Sequence, residues 1–448
     1  MHDLRRQALE SGKTVSRKAR SRQTSLPSSQ TNSRSNSRPA SRSGSRQCSD
    51  DEEGNLSDET SWSVNSIDEI LGADDAATST EAWRDGLNDR IAQIVDRKRS
   101  SITGREESLM AYVRLSTARN VQEVIHGRID ELVSAFLKSV KAESSEKETS
   151  LALKALVLTL VTEPSDTIYD LIYNQLQRTI SDSESNTVKT AAIRALGTSA
   201  FYGGASDEEI QSVMDQFLEI IESDGNSIGA GDSGDVVTAA LEEWGFLATQ
   251  LEDLEDASEA AMEAFVEQLE SAEPEVQIAA GENIALIYEK SYTELEEDEE
   301  LDSSDEDAED PEDNAAPGGP KMVKRYSPYR RVDQLRHQLA ALASVSSRRL
   351  SKKDRKSLHT NFADILNSVE NPTRGPRYQT AVNSETGRRY GSRMTVRIHK
   401  TGVMKIDKWW KLHRLQALRR ILGGGFVVHY EKNEVVFDTL PIMIANEK

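Results

Sequence analysis

Four cations stand within six residues at Ser351-Lys352-Lys353-Asp354-Arg355-Lys356, and arginines follow at Arg374, Arg377, Arg388, Arg389, Arg393 and Arg397. Tyr378 and Tyr390 are interleaved among them. Guanidinium groups fork onto phosphate oxygens, ammonium groups act on them as point charges, and tyrosine rings stack on exposed bases. Together these are the chemistry of RNA contact, so the four cations and the six arginines are the candidate RNA-binding residues. A solvated charged face is the plainer reading of the same side chains. Far upstream, Arg22 stands three residues before Ser25, a spacing that suits a basophilic kinase and makes Ser25 the candidate phosphorylation site.

Patterns that would mark an enzyme are missing. Gly229-Ala230-Gly231-Asp232-Ser233-Gly234 matches the dinucleotide fingerprint, but that motif works only when a strand feeds it and a helix leaves it. A helix is predicted before it here, so the segment reads as an inter-helix loop. The seven histidines form no H-x-x-x-H pair, and His413, three residues after Trp410, suits packing or a phosphate contact. The single cysteine, Cys48, leaves no disulfide within the chain and no cysteine-based metal site. Carboxylates are so dense in the middle of the chain that close pairs arise by chance, and none marks a general acid or base. The expectation is a protein without catalytic residues, cofactor, metal or small-molecule substrate. No run of 18 apolar residues occurs, which argues against a membrane partner, and the low cysteine usage fits the cytoplasm and/or nucleus.

The elements that must position the basic residues follow from charge and periodicity. The net charge of −21 averages three surfaces: 11 basic and 2 acidic residues in 1–48, 17 and 64 in 49–320, and 27 and 10 in 321–448. Residues 1–80 are Ser/Arg-rich and then acidic, with too little apolar surface to offset ordering, so a disordered tail is expected. Trp62, Val64, Ile67, Ile70 and Leu71 within it are either a docking motif or the first piece of the fold. Residues 81–293 show apolar residues at three- and four-residue steps, as in Leu153, Leu156 and Leu160. A signature V-x-x-A-A recurs at Val188/Ala191/Ala192, Val236/Ala239/Ala240 and Val276/Ala279/Ala280, and Lys154-Ala155-Leu156 matches Arg194-Ala195-Leu196 in register. Such a period, with two helices per unit, predicts a HEAT/armadillo-like α-solenoid, with protein partners on its surface.

Residues 294–320 form an acidic linker or insert, with 14 acidic residues in the 20 from Glu294 to Asp313. Residues 321–448 form the basic module, a small α+β unit. Val332, Leu335 and Leu339 predict one helix, and Phe362, Ile365, Leu366 and Val369 a second. Arg374–Arg393 reads as a loop, and Met394–Ile398 and Val403–Ile406 as short strands. Asp407 is expected to cap a helix striped by Trp409, Leu412, Leu415, Leu418 and Leu422, and Phe426–Tyr430 with Val435–Phe437 to form a closing hairpin. The fold class is mainly α throughout, and a monomer is expected.

The segments Leu350–Glu370 (LSKKDRKSLHTNFADILNSVE) and Met404–Trp409 (MKIDKW), behind a Ser/Arg tail and a helical-repeat body, resemble the interferon-related developmental regulators. That resemblance implies an armadillo-like fold without enzymatic activity. It also implies a role either as a nuclear transcriptional co-regulator acting through protein contacts or as a ribosome-associated restraint on translation. In the second case Lys352, Lys353, Arg355 and Lys356 are the positions that would meet ribosomal RNA.

Overall fold

Serines at helix starts and small residues inside the helices set the architecture. The computed structural model describes residues 82–97, 100–295, 322–344, 351–384, 387, 389–398 and 403–441. The Ser/Arg tail with Ser25, the Trp62–Leu71 segment, the body of the acidic insert and Arg388 lie outside the described residues.

Among the described residues, long helices come in six pairs. These are α1 (Ala82–Val95) with α2 (Ile102–Ala118) and, after the one-turn α3 (Gln122–Ile125), α4 (Ile129–Ala142) with α5 (Glu146–Thr162). Then come α6 (Ile168–Asp182) with α7 (Asn186–Tyr202), α8 (Asp207–Glu222) with α9 (Gly234–Ala248), and α10 (Glu255–Gln268) with α11 (Pro274–Lys290). Past a two-stranded ladder of β1 (Tyr292–Glu294) and β2 (Met322–Lys324), α12 (Val332–Ala343) pairs with α13 (Lys352–Glu370). The second helix of each pair stacks on the second helix of the next, from α2 through α13, giving the predicted solenoid.

Each inner helix begins where its sequence says it should. The Oγ atoms of Ser101, Ser145 and Ser185 accept from the N–H three residues on, and Pro274 opens α11. The inner helices α5, α7, α9 and α11 are buried on nearly every side because they sit between two neighbours and an outer helix: Leu153, Leu156, Leu158 and Leu160 of α5 are all fully buried. Each such side chain contributes about 1.5–3 kcal/mol. The signature alanines are buried at the helix–helix seams, where small side chains permit close axes. At Gly281 the approach is closer still, since a Cβ there would lie 2.7 Å from Ile365 Cδ1 of α13.

The ladder between β1 and β2 was not legible in the sequence. It sets Glu294 opposite Met322, so the acidic insert leaves and returns at one point. Beyond α13 come two antiparallel hairpins, β3 (Tyr378–Val382) with β4 (Arg389–Ser392) and β5 (Thr395–Arg397) with β6 (Val403–Lys405). The second is the expected one. The first replaces the expected Arg374–Arg393 loop, whose polar composition hides the pairing. Three helices end the described chain: α14 (Trp409–Leu422), α15 (Phe426–Lys432) and α16 (Glu434–Thr439). The last two correct the expected closing hairpin. Phe426, Val427, Val428 and Tyr430 carry strand propensity, but burial of Phe426, His429, Tyr430, Val436 and Leu440 makes helices the better fit. The stripe of Trp409, Leu412, Leu415, Leu418 and Leu422 on α14 is buried as predicted.

Candidate functional site

The nine candidate RNA-binding residues among the described ones fall into two groups. The capping box of Ser351 and Asp354 starts α13, and Lys352, Lys353, half-buried Arg355 and Lys356 fill its first turn and a half. Lys352, Lys353 and Lys356 are exposed. Roughly 20 Å along the helix axis from Lys352, at 1.5 Å per residue, Arg374 Nη1 reaches Asn367 Oδ1 at 3.3 Å. Its guanidinium also covers the Tyr378 ring at 5.1 Å. Arg377, at φ 56°, turns its Nε onto Asp364 Oδ2 at 3.0 Å. Burial pushes the Asp364 carboxyl up to about 6 even with Arg377 beside it. Arg374 and Arg377 therefore brace the turn between α13 and the hairpins. Arg389, Arg393 and Arg397 are exposed on the hairpins, where Arg393 donates to Gln379 Oε1 at 3.0 Å and covers the Tyr390 ring at 5.3 Å.

Sequence reasoning missed a second constellation, along the inner helices. The sixth residue after the start of each repeat signature is Lys154, Arg194, Glu242 and Glu282, on α5, α7, α9 and α11 in turn. All four are buried or nearly so, and all face α14 or the cluster it completes. Lys154 Nζ donates to the Arg420 carbonyl at 2.7 Å. Arg420 bonds Glu243 at 3.1 Å and lies 3.5 Å from Glu242, and Arg194 reaches Glu242 at 2.8 Å. Gln416 donates to both oxygens of Glu282. Seven residues further along each helix stand Val161, Phe201, Thr249 and Glu289, and these too meet the C-terminal helices. Asn433 donates to the Val161 carbonyl at 3.0 Å, and Arg414 covers the Phe201 ring and bonds Thr249 Oγ1 at 2.9 Å.

Glu289 accepts the backbone N–H groups of Trp409 and Trp410 at 2.8 and 3.2 Å. It thus supplies the N-terminal cap expected of Asp407, which instead pairs with Lys411 at 2.6 Å. At the far end His429 Nε2 lies 2.9 Å from the Ser116 carbonyl oxygen at the close of α2. The chain's own α14–α16 therefore fill the inner groove from α2 to α11.

Burial shapes the electrostatics of this groove. It lowers Lys154 to about 7, with Arg194 and Arg420 adding repulsion, and raises Glu282 to about 7 against the Gln416 hydrogen bonds. Burial also opposes ionisation of Glu242 and Glu243. The two guanidinium groups outweigh it at Glu242, whose pKa is held below the ordinary value, but not at Glu243, whose pKa is raised. His413 is buried, with Nε2 3.3 Å from the Glu282 carbonyl oxygen, and is pushed down to about 4, so it packs as a neutral ring. The signal that could have found this row was the charge recurring at one register position, but its partner lies far downstream.

The Gly229–Gly234 loop follows helix α8 and a short 3-10 turn, so no strand feeds it. Among the described residues no group of three or more His, Cys, Asp or Glu side chains is placed to hold a metal ion, and no helix is long and apolar enough to cross a membrane.

The sequence model of the interferon-related developmental regulators matches residues 48–370, which takes in every repeat through α13 and stops before the hairpins. An uncharacterised protein of Schizosaccharomyces pombe is 26% identical over 360 residues, covering 80% of this chain and 74% of its own length. With nearly three-quarters of its length matched, the chain belongs to the interferon-related developmental regulator family, a family of regulators rather than of known enzymes.

Proposed function

We propose that the protein is a non-enzymatic regulator of translation that binds ribosomal or other structured RNA through the first turn of α13 and the two arginine-bearing hairpins. The observation that carries this reading is four cations among the first five residues of α13. The N-terminus of a helix is its positive end, and each cation there costs about 0.3–1 kcal/mol unless an anion compensates. The capping box offsets part of that cost, and a bound phosphate would lower it further. Protein partners use the outer helices in this scheme, because α14–α16 occupy the inner groove.

Sedimentation of cell extract through sucrose gradients tests it. The chain should travel with ribosomal particles at low salt, and reversing Lys352, Lys353, Arg355 and Lys356 to Glu should release it and flatten the salt dependence. A chain that stays in the light fractions at low salt refutes the reading. Nuclear enrichment with nuclease-insensitive partners would instead favour a co-regulator acting through protein contacts.

A further inference from the structure

Resting on that RNA reading, we propose that the two hairpins recognise unpaired bases, not the backbone of a duplex, with Tyr390 as the stacking platform. Large apolar side chains are seldom concentrated at a charged surface without a partner. Among the described residues seven are exposed, and three of them, Val382 at 58%, Tyr390 at 45% and Val403 at 54%, fall within the hairpins. In β5–β6 the pleat buries Val396 and Met404 and turns the opposite face outward, where Arg397 pairs across the strands with Val403. Gly391 lies within β4, opposite Gln379. Its φ of 66° excludes ordinary side chains, and a Cβ there would lie 3.9 Å from both Lys405 Nζ and the Tyr378 ring. The ammonium of Lys405 thus rests beside β4, so a cation of the second hairpin lies against the strand that carries Tyr390.

The Tyr390 ring is held ready. Arg393 covers it at 5.3 Å while its guanidinium is fixed by Gln379. A phosphate-tracking surface needs only the cations. Exposed rings and aliphatic groups add nothing on a duplex, whose bases are stacked away, but they receive splayed bases of loops and single strands.

The test uses the full chain and a fluorescein-labelled mixed-sequence 20-nucleotide RNA, single-stranded or annealed to its complement, in anisotropy titrations across a salt series. The single strand should bind about tenfold tighter than the duplex, and Tyr390→Ala should remove about that factor for the single strand alone without changing the salt slope. Val403→Thr, which keeps strand propensity, should act in the same direction. Arg389→Gln should weaken both RNAs and lower the salt slope by about one unit. Equal binding of both RNAs with Tyr390→Ala silent overturns the base-stacking inference and leaves the RNA reading intact. Binding of neither RNA overturns both.

Discussion

Replacing Arg420 by Met asks how firmly the C-terminal helices are tied into the groove. Two guanidinium groups and two carboxylates form the cluster, and the side chains of Arg420 and Glu243 are only 3% and 4% exposed. Arg194 alone cannot serve both acids, because it lies 2.8 Å from Glu242 but 4.0 Å from Glu243. The substitution therefore strands a buried carboxylate, a change that costs about 3–5 kcal/mol. With an m-value of about 3 kcal/mol/M in urea, the unfolding midpoint should fall by roughly 1–1.7 M. The pair Arg420→Met with Glu243→Leu removes donor and acceptor together and should recover most of that loss, since buried ion pairs are often no better than apolar replacements. Equilibrium urea unfolding gives both values, and hydrogen exchange of residues 409–440 locates the change. A single-variant loss under about 1 kcal/mol, or a double variant no more stable than the single, would refute the argument that the cluster is a closed charge balance.

Glu282→Gln should stabilise the fold at pH 8 and leave it nearly unchanged at pH 4. The folded carboxyl titrates near 7, so it holds its proton longer than the unfolded chain does, and native stability falls as pH rises from the unfolded value toward 7. Paired thermal melts at the two pH values measure the difference, on the order of 3 kcal/mol. Gly245→Ala would place a Cβ 2.6 Å from the His413 ring and 2.2 Å from Asn283 Oδ1, and should cost about 1–3 kcal/mol in urea unfolding. Adding His413→Ala should return part of that loss. Glu289→Ala leaves the N–H groups of Trp409 and Trp410 without their acceptor, so the first turn of α14 should exchange its amide hydrogens about tenfold faster or more.

The repeats were legible because an inner helix enclosed on all sides must be apolar and small-residue-rich at fixed positions, and Val188/Ala191/Ala192 and its two copies record that. The stripe on α14 was legible for the same reason. What covers that stripe was not, because nothing local in Trp409–Leu422 says that its partners are Lys154, Glu242 and Glu282. Local preference also misled where tertiary burial overrides it: the β-branched and aromatic run Phe426–Tyr430 is helical because His429 is buried against the end of α2 and Tyr430 against Phe426, Phe437 and Leu440. The β1–β2 ladder is three residues per strand and has no alternation to betray it. Of the basic residues, spacing proposes the set but does not say which are exposed. Lys352, Arg389 and Arg397 are exposed, whereas Arg374 and Arg377 are half-buried, the first hydrogen-bonded to Asn367 and the second paired with Asp364.

Groove filling by α14–α16 also sets a timetable for synthesis. An α-solenoid ordinarily completes each repeat from its neighbours, so it can fold from the N-terminus as the chain emerges. Here Ser116 and Thr117 await His429, and Asn120 awaits the Lys432 carbonyl, 312 residues downstream. At about 5–20 residues per second the first repeats spend roughly 15–60 s with the inner face uncovered. During that interval the nascent chain presents an apolar trough with charged rungs, the kind of surface that holding chaperones retain. Truncation before Trp409 would make that exposure permanent.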